Sequence, residues 1–201
     1  MTCCPARTGH FGKWHIGQCV TPRTYGIDVI GSDEENAAPK PVDGIAKAHF
    51  EGVPAVMLHC STHSYRAAKT DEWRKCVGQT SMSHEKNRDL KVRNVAQDHP
   101  VMKGFPKEWL DPKDELYKNE KLWDNFKPLA TAYSEDTKKD HHVIWVNDYG
   151  QGKVFGTTLG HRNHTMQGPV YLDLVARGPL WTCGKLGEDG KPIPGYESKQ
   201  K

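Results

Sequence analysis

Long apolar segments are missing from this sequence. No run approaches the ~20 residues that a helix needs to cross a bilayer, and the mean hydropathy is −0.76. The first residues also lack the charged-then-apolar pattern of a signal peptide. These absences argue against a membrane protein, and they favour a cytoplasmic location if the N-terminus is genuine.

A strong excess of one charge is also missing. The 28 Lys and Arg residues are nearly balanced by 25 Asp and Glu residues, which leaves a net charge of +3. No basic stripe is interleaved with aromatic side chains. The sequence therefore does not predict a nucleic-acid-binding protein.

Cysteine is sparse and dispersed, with six residues in a chain of 201. No pair of C-x-x-C units predicts a zinc knuckle. A chain of this length can bury a sizeable core without disulfides, so we expect reduced thiols. The length suits one domain with an appendage.

The most informative stretch covers residues 53–66 and reads VPAVMLHCSTHSYR. Its apolar half is long enough for a strand that is buried on both faces. Reactive side chains follow at once, including His59, Cys60 and His63. Because ligands bind where the strands of an open α/β sheet end, we expect a site at this point.

The remaining periodicities predict strands interleaved with helices, and hence a partly parallel α/β sheet. Gly160–Thr165 forms a second polar cluster directly after a predicted strand. The segments 79–89 and 97–117 are rich in polar residues or in Pro and Gly, and we expect loops there. Helices are predicted over 43–50, 71–78 and 169–184, and strands over 53–59, 90–95, 128–133, 142–150 and 153–160.

The first 36 residues resemble a truncated sulfatase signature region. CCPAR, which includes Cys3, fits the C-x-P-x-R signature, and GKWHIG resembles the second signature of that family. The resemblance implies a formylglycine precursor at Cys3 and sulfate contacts from Lys13 and His15. The two signatures nearly abut here, and the metal-binding aspartates that precede them in sulfatases are absent. We interpret this segment as a remnant without sulfatase activity.

From about Asp43 to Gly184 the chain resembles the ThuA-like family, whose name comes from trehalose utilisation. The resemblance rests on an ordered set of segments: VPAVMLHCSTHSYR, DEWRKCVGQTSMSH, DHPVMKGFP, DELY, VIWVNDYGQGKVFGTTLGH and RGPLWTCGK. It implies a flavodoxin-like fold of the class I glutamine amidotransferase-like superfamily, an α/β sheet with helices on both faces. It also implies a role in the catabolism of trehalose-type or oxidised sugars.

This resemblance divides the chain into three parts. Residues 1–36 are the sulfatase-like remnant, 37–184 the ThuA-like α/β domain and 185–201 a polar tail. The βα unit with which such a domain normally opens is missing or replaced, because the sulfatase-like residues stand in its place.

His59, His63, Glu115 and His161 are candidates both for catalysis and for metal binding, and Cys60 is a further catalytic candidate. The three histidines fall at predicted strand ends, and Glu115 lies in the acidic DELY segment. Neutral imidazoles and a carboxylate suit zinc or a similar divalent metal ion with an open coordination position. The same four residues can also act as general acid and base on a sugar without a metal.

Cys60 occupies the place of the nucleophilic cysteine in amidotransferases. It lacks the flanking glycines of a nucleophile elbow, and no late His-x-Glu pair completes a triad, so we do not expect glutaminase activity. A small buried thiol is the alternative. Arg66, Tyr117 and His164 are candidates for substrate binding, since such side chains orient hydroxyl-rich ligands.

Two classes of function remain open. The first is a sugar-modifying enzyme, such as a hydrolase or an isomerase, with a small-molecule carbohydrate as substrate. The second is a non-catalytic module that binds a sugar or a protein. The sequence also leaves open whether the protein forms a homo-oligomer.

Overall fold

The computed structural model describes residues 9–10, 29–30, 39–65 and 68–198. The described helices are α1 (Pro39–Phe50), α2 (Glu72–Val77), α3 (Asn163–Gln167) and α4 (Pro169–Thr182), with 3₁₀ turns at His59–His63 and Pro100–Met102. The described strands are β1 (Gly9–His10), β2 (Val29–Ile30), β3 (Ala55–Leu58), β4 (Gln79–His84), β5 (Arg88–Asn94), β6 (Glu108–Asp114), β7 (Tyr117–Leu122), β8 (Phe126–Tyr133), β9 (Asp140–Tyr149) and β10 (Gly152–Thr157).

A six-stranded sheet dominates the described part of the chain, with the strand order β3-β10-β9-β8-β5-β6. Strands β3 and β10 are parallel, and the other neighbours in this sheet are antiparallel. β4 and β7 form a separate antiparallel pair, and β1 and β2 a short parallel one. The prediction of a partly parallel α/β sheet is confirmed.

Helices cover both faces of the large sheet, as predicted. Along β9 the side chains alternate, because successive residues of a strand point to opposite faces. Ile144 and Val146 belong to one core with Leu174 of α4. Trp145, between them, belongs to a second core with Trp73 of α2 and Val42 of α1.

Two predicted loops contain strands instead. Residues 79–84 form β4, and the Pro-rich segment 97–117 contains the whole of β6. The strand β4 was not predicted from the sequence because its buried side chains, Gln79 and Ser81, are polar. The sequence of β4 therefore lacks the alternation of polar and apolar residues by which a half-buried strand is recognised.

The parallel pair determines where the site forms. Thr157 of β10 lies opposite Leu58 of β3, so both strands end at the same edge of the sheet. The chain continues from these ends into His59 on one side and toward His161 on the other. None of the described helices is both long enough and apolar enough to cross a membrane.

Candidate functional site

The turn after β3 fixes the orientation of His59. This residue has a positive φ of 47°, a conformation that costs on the order of 1–3 kcal/mol for a residue with a side chain. Its ring Nδ1 lies 2.8 Å from the carbonyl oxygen of Thr158, just after β10. Because a carbonyl can only accept, Nδ1 carries the proton and the lone pair is on Nε2.

The lone pair of His59 lies in a triangle of three potential ligand atoms. His59 Nε2 is 3.3 Å from His161 Nδ1 and 3.6 Å from Glu115 Oε2. His161 Nδ1 is 3.4 Å from the same carboxylate oxygen. The structure therefore brings together three of the four predicted metal ligands.

The size of this triangle fits a divalent metal ion. Zinc bonds of about 2.0–2.2 Å to nitrogen and oxygen place two ligands about 3.3–3.6 Å apart in tetrahedral geometry. The ligand atoms of His59, Glu115 and His161 all lie within 4.8 Å of one another, and the measured separations fall in that range. Three protein ligands leave a fourth position for a water molecule or a substrate.

Burial shifts the pKa values of His59 and Tyr117, two residues at the triangle. It lowers the pKa of His59, although the Thr158 carbonyl and the nearby carboxylates of Asp114 and Glu115 act in the opposite direction. A lowered pKa favours the neutral imidazole, which is the form that binds metals. Burial also raises the pKa of Tyr117, and the nearby carboxylate of Glu115 acts in the same direction, so its hydroxyl remains protonated.

Three rings line one side of the triangle. The Tyr117 ring centroid lies 4.4 Å from that of His63 and 5.5 Å from that of His84. His63 is buried, and its Nε2 lies 3.0 Å from the Ser81 hydroxyl, so it packs beside the triangle. His84 Nδ1 donates to the Glu85 carbonyl at 2.8 Å and is 3.8 Å from Glu115 Oε1.

The other predicted site residues are Cys60, His164 and Arg66, and none of them belongs to the triangle. Cys60 is half-buried in the 3₁₀ turn that follows β3 and is close enough to Tyr117 to affect its pKa. His164 is exposed, with its Nε2 donating to the Pro112 carbonyl at 2.6 Å. Arg66 lies outside the described residues, and so do Cys3, Lys13 and His15 of the sulfatase-like segment.

Two buried acids beneath the triangle were not predicted. Asp111 and Asp114 are both inaccessible to solvent, and the backbone amides of Glu115 and His161 donate to Asp114. The acidic segment DPKDE was the feature of the sequence that could have identified these two aspartates. Its polar character suggested an exposed loop.

The comparisons with known proteins agree with this architecture. The model of the ThuA family, described as trehalose utilisation, matches residues 29–182. No curated protein matches the chain.

Solved structures of two ThuA-like proteins share the fold. The one from Parabacteroides merdae has 21% sequence identity and a TM-score of 0.66, with 82% of this chain and 71% of the other chain covered. The one from Bacteroides uniformis has 15% identity and a TM-score of 0.58, with coverage of 80% and 79%.

Proposed function

The chain belongs to the ThuA family, described as trehalose utilisation, and from this premise we propose that it is an enzyme of carbohydrate catabolism with a divalent metal site. His59, Glu115 and His161 are the metal ligands in this proposal. The observation that carries it is the triangle of their ligand atoms, whose sides of 3.3–3.6 Å suit tetrahedral zinc.

The hydrogen bond behind His59 supports this assignment. Histidine ligands of metals usually donate their second ring N–H to a carbonyl or carboxylate, which holds the ring and raises its basicity. The Thr158 carbonyl provides that acceptor for His59.

The chemistry divides between the ion and the surrounding side chains. When bound, a zinc ion supplies Lewis-acid polarisation of a sugar hydroxyl or carbonyl oxygen. Glu115 is placed to accept a proton from that group. His84 Nδ1 carries a proton on the Glu115 side of the triangle, and the side chain is 42% exposed, so His84 can act as a proton donor at the solvent-facing side of the site.

The family description and the lining of the site support a sugar as the substrate of this proposed enzyme. Trehalose-type or oxidised sugars offer several hydroxyl groups, and the exposed imidazole of His84 offers a polar partner beside Tyr117. A hydrolase or an isomerase matches a site that combines a Lewis acid with groups that transfer protons.

Thermal shifts with sugars test this function. With zinc present, we expect trehalose or an oxidised sugar such as gluconate to raise the melting temperature by about 5–10 °C at a hundredfold excess over its dissociation constant. The Glu115→Gln variant should lose this shift. Glu108→Gln should keep it, because Glu108 is half-exposed on β6 and pairs with Lys91. Equal shifts in wild type and Glu115→Gln, or none with any sugar, would contradict the proposal.

A further inference from the structure

A β-bulge lies directly before Glu115. Asp114 of β6 pairs with Arg88 of β5, and Asp111 pairs with Leu90. Between these two pairs β6 advances by three residues and β5 by two, so β6 contains one extra residue. In a regular strand, side chains three residues apart point to opposite faces. The extra residue of the bulge, where Lys113 has a φ of +55°, lets Asp111 and Asp114 both reach the interior.

The carboxylate of Asp114 accepts three backbone hydrogen bonds. Its Oδ1 accepts from the amide of Glu115 at 2.7 Å and from the amide of His161 at 3.2 Å. Its Oδ2 accepts from the amide of Gly160 at 2.8 Å. One carboxylate thus joins the end of β6 to the segment after β10.

Two of these three amides belong to metal ligands of the proposed site. Glu115 and His161 come from segments far apart in sequence, and their side chains must approach within about 3.4 Å to share an ion. The Asp114 carboxylate fixes the spacing of the two backbones directly beside the ligand atoms. A buried charge with three donors is also costly to displace.

We propose that Asp114 is a positioning residue, whose carboxylate holds the backbones of Glu115 and His161 at the spacing that a divalent metal ion needs. This inference rests on the proposed metal site. Asp114 touches no substrate in this account and acts through the two ligands that it places.

Asp111 is the buried neighbour of Asp114 and can form a hydrogen bond with its carboxylate. The Thr165 hydroxyl donates to its Oδ1 at 2.6 Å, while Oδ2 is buried without a donor among the described residues. A proton on Oδ2 turns that oxygen into a donor to Asp114. The Asp114 carboxylate then has a fourth hydrogen-bond partner.

The test compares Asp114→Asn with a matched control in the same bulge. Asp89 is exposed, and its Oδ1 accepts from the Lys113 amide at 3.1 Å, so Asp89→Asn removes a carboxylate that holds no ligand backbone. We expect Asp114→Asn to weaken zinc binding by about 10–100-fold, the usual effect of removing a group that supports metal ligands. Asp89→Asn should change it by less than about threefold. Zinc affinity is measured by competition with a chromophoric chelator.

Amide hydrogen exchange provides a second measurement that does not depend on metal. In Asp114→Asn we expect faster exchange at the amides of Glu115, Gly160 and His161, with the protection of β9 retained. If Asp114→Asn does not fold, Asp114→Glu is measured in its place, because it keeps the charge and moves the oxygens by one methylene.

The outcomes separate this inference from the proposed function. Wild type that binds zinc, with unchanged affinity in the Asp114 variant, overturns the positioning role and leaves the metal site standing. Wild type that binds no zinc overturns the metal site. Hydrogen exchange then tests only whether the Asp114 carboxylate holds the two backbones: selective loss of protection at the three amides supports this, and unchanged or uniformly lowered protection overturns it.

Discussion

Asp111 and Asp114 lie side by side in the interior, and this environment raises the pKa of Asp111 to about 8. Burial is the main cause, and the neighbouring Asp114 carboxyl adds to it, while the Thr165 hydroxyl acts in the opposite direction. Asp111 is therefore protonated at neutral pH, as expected when two carboxyl groups share a buried site.

Replacing Asp111 with Asn should alter how stability depends on pH. Because the folded state raises the pKa above its ordinary value of 3.8, this residue contributes its full stability at low pH and loses it as pH rises toward about 8. Each unit of pKa difference is worth about 1.4 kcal/mol. Asn imitates the protonated carboxyl, so the stability of Asp111→Asn relative to wild type should increase across this range.

Urea denaturation at pH 5, 6.5 and 8 measures this difference. Asp98→Asn is the control, because Asp98 is fully exposed and should leave the pH dependence of wild type unchanged. A difference between Asp111→Asn and wild type that stays constant with pH would contradict the raised pKa.

For individual residues, the sequence predicts the candidate metal ligands better than the buried aspartate that holds two of their backbones in place. His59 and His161 stand out because polar clusters follow apolar strands, and Glu115 because it lies in an acidic segment. The role of Asp114 depends on a bulge, which is defined by pairing with β5. Such pairing between distant segments leaves no local signal in the sequence.

The turn after β10 is the element that delivers His161 to the site. Gly160 has a φ of +106°, and a Cβ at this position would lie 2.5 Å from the Tyr171 hydroxyl oxygen. That hydroxyl donates to the Leu159 carbonyl at 3.3 Å. The turn is therefore closely packed against α4, and a side chain at Gly160 would require Tyr171 or the turn to shift.

Gly160→Ala should destabilise the protein and weaken metal binding together. Gly184 provides the control, since it has a φ of +65° and a Cβ added there would have no described atom within 4 Å. Backbone strain of about 1–3 kcal/mol is expected in both variants. Overpacking should add about 1–3 kcal/mol in Gly160→Ala alone, and only this variant should bind zinc more weakly.

Chemical denaturation and zinc titration of both variants check this prediction. If Gly184→Ala is as unstable as Gly160→Ala, or if both bind zinc like wild type, the turn does not control the position of His161.

Elements with strong local signals could be predicted, and those defined by distant partners could not. The helix over 71–78 was predicted from acidic residues in its first turn and a terminal glycine, and α2 with Gly78 in a left-handed conformation confirms it. β4 was missed because it pairs with β7, about forty residues away, through largely polar side chains. Its stability comes from that pairing and from burial.

The whole molecule places the candidate site on a rigid frame. Two hydrophobic cores pack against the sheet from opposite faces, and the parallel strands β3 and β10 end together at the edge where the site forms. Sites built at the ends of packed strands hold their side chains more precisely than sites on long loops. The family and the α/β fold were both predicted at this scale and are confirmed.

The metal content of the purified protein tests the central claim most directly. After incubation with zinc and removal of excess metal, elemental mass spectrometry should find about one zinc ion per chain in wild type. His161→Ala should lose most of it. His164→Ala, which removes an imidazole three residues away that contacts the Pro112 carbonyl, should retain it. Wild type without zinc, or equal zinc in His161→Ala and wild type, would contradict the account.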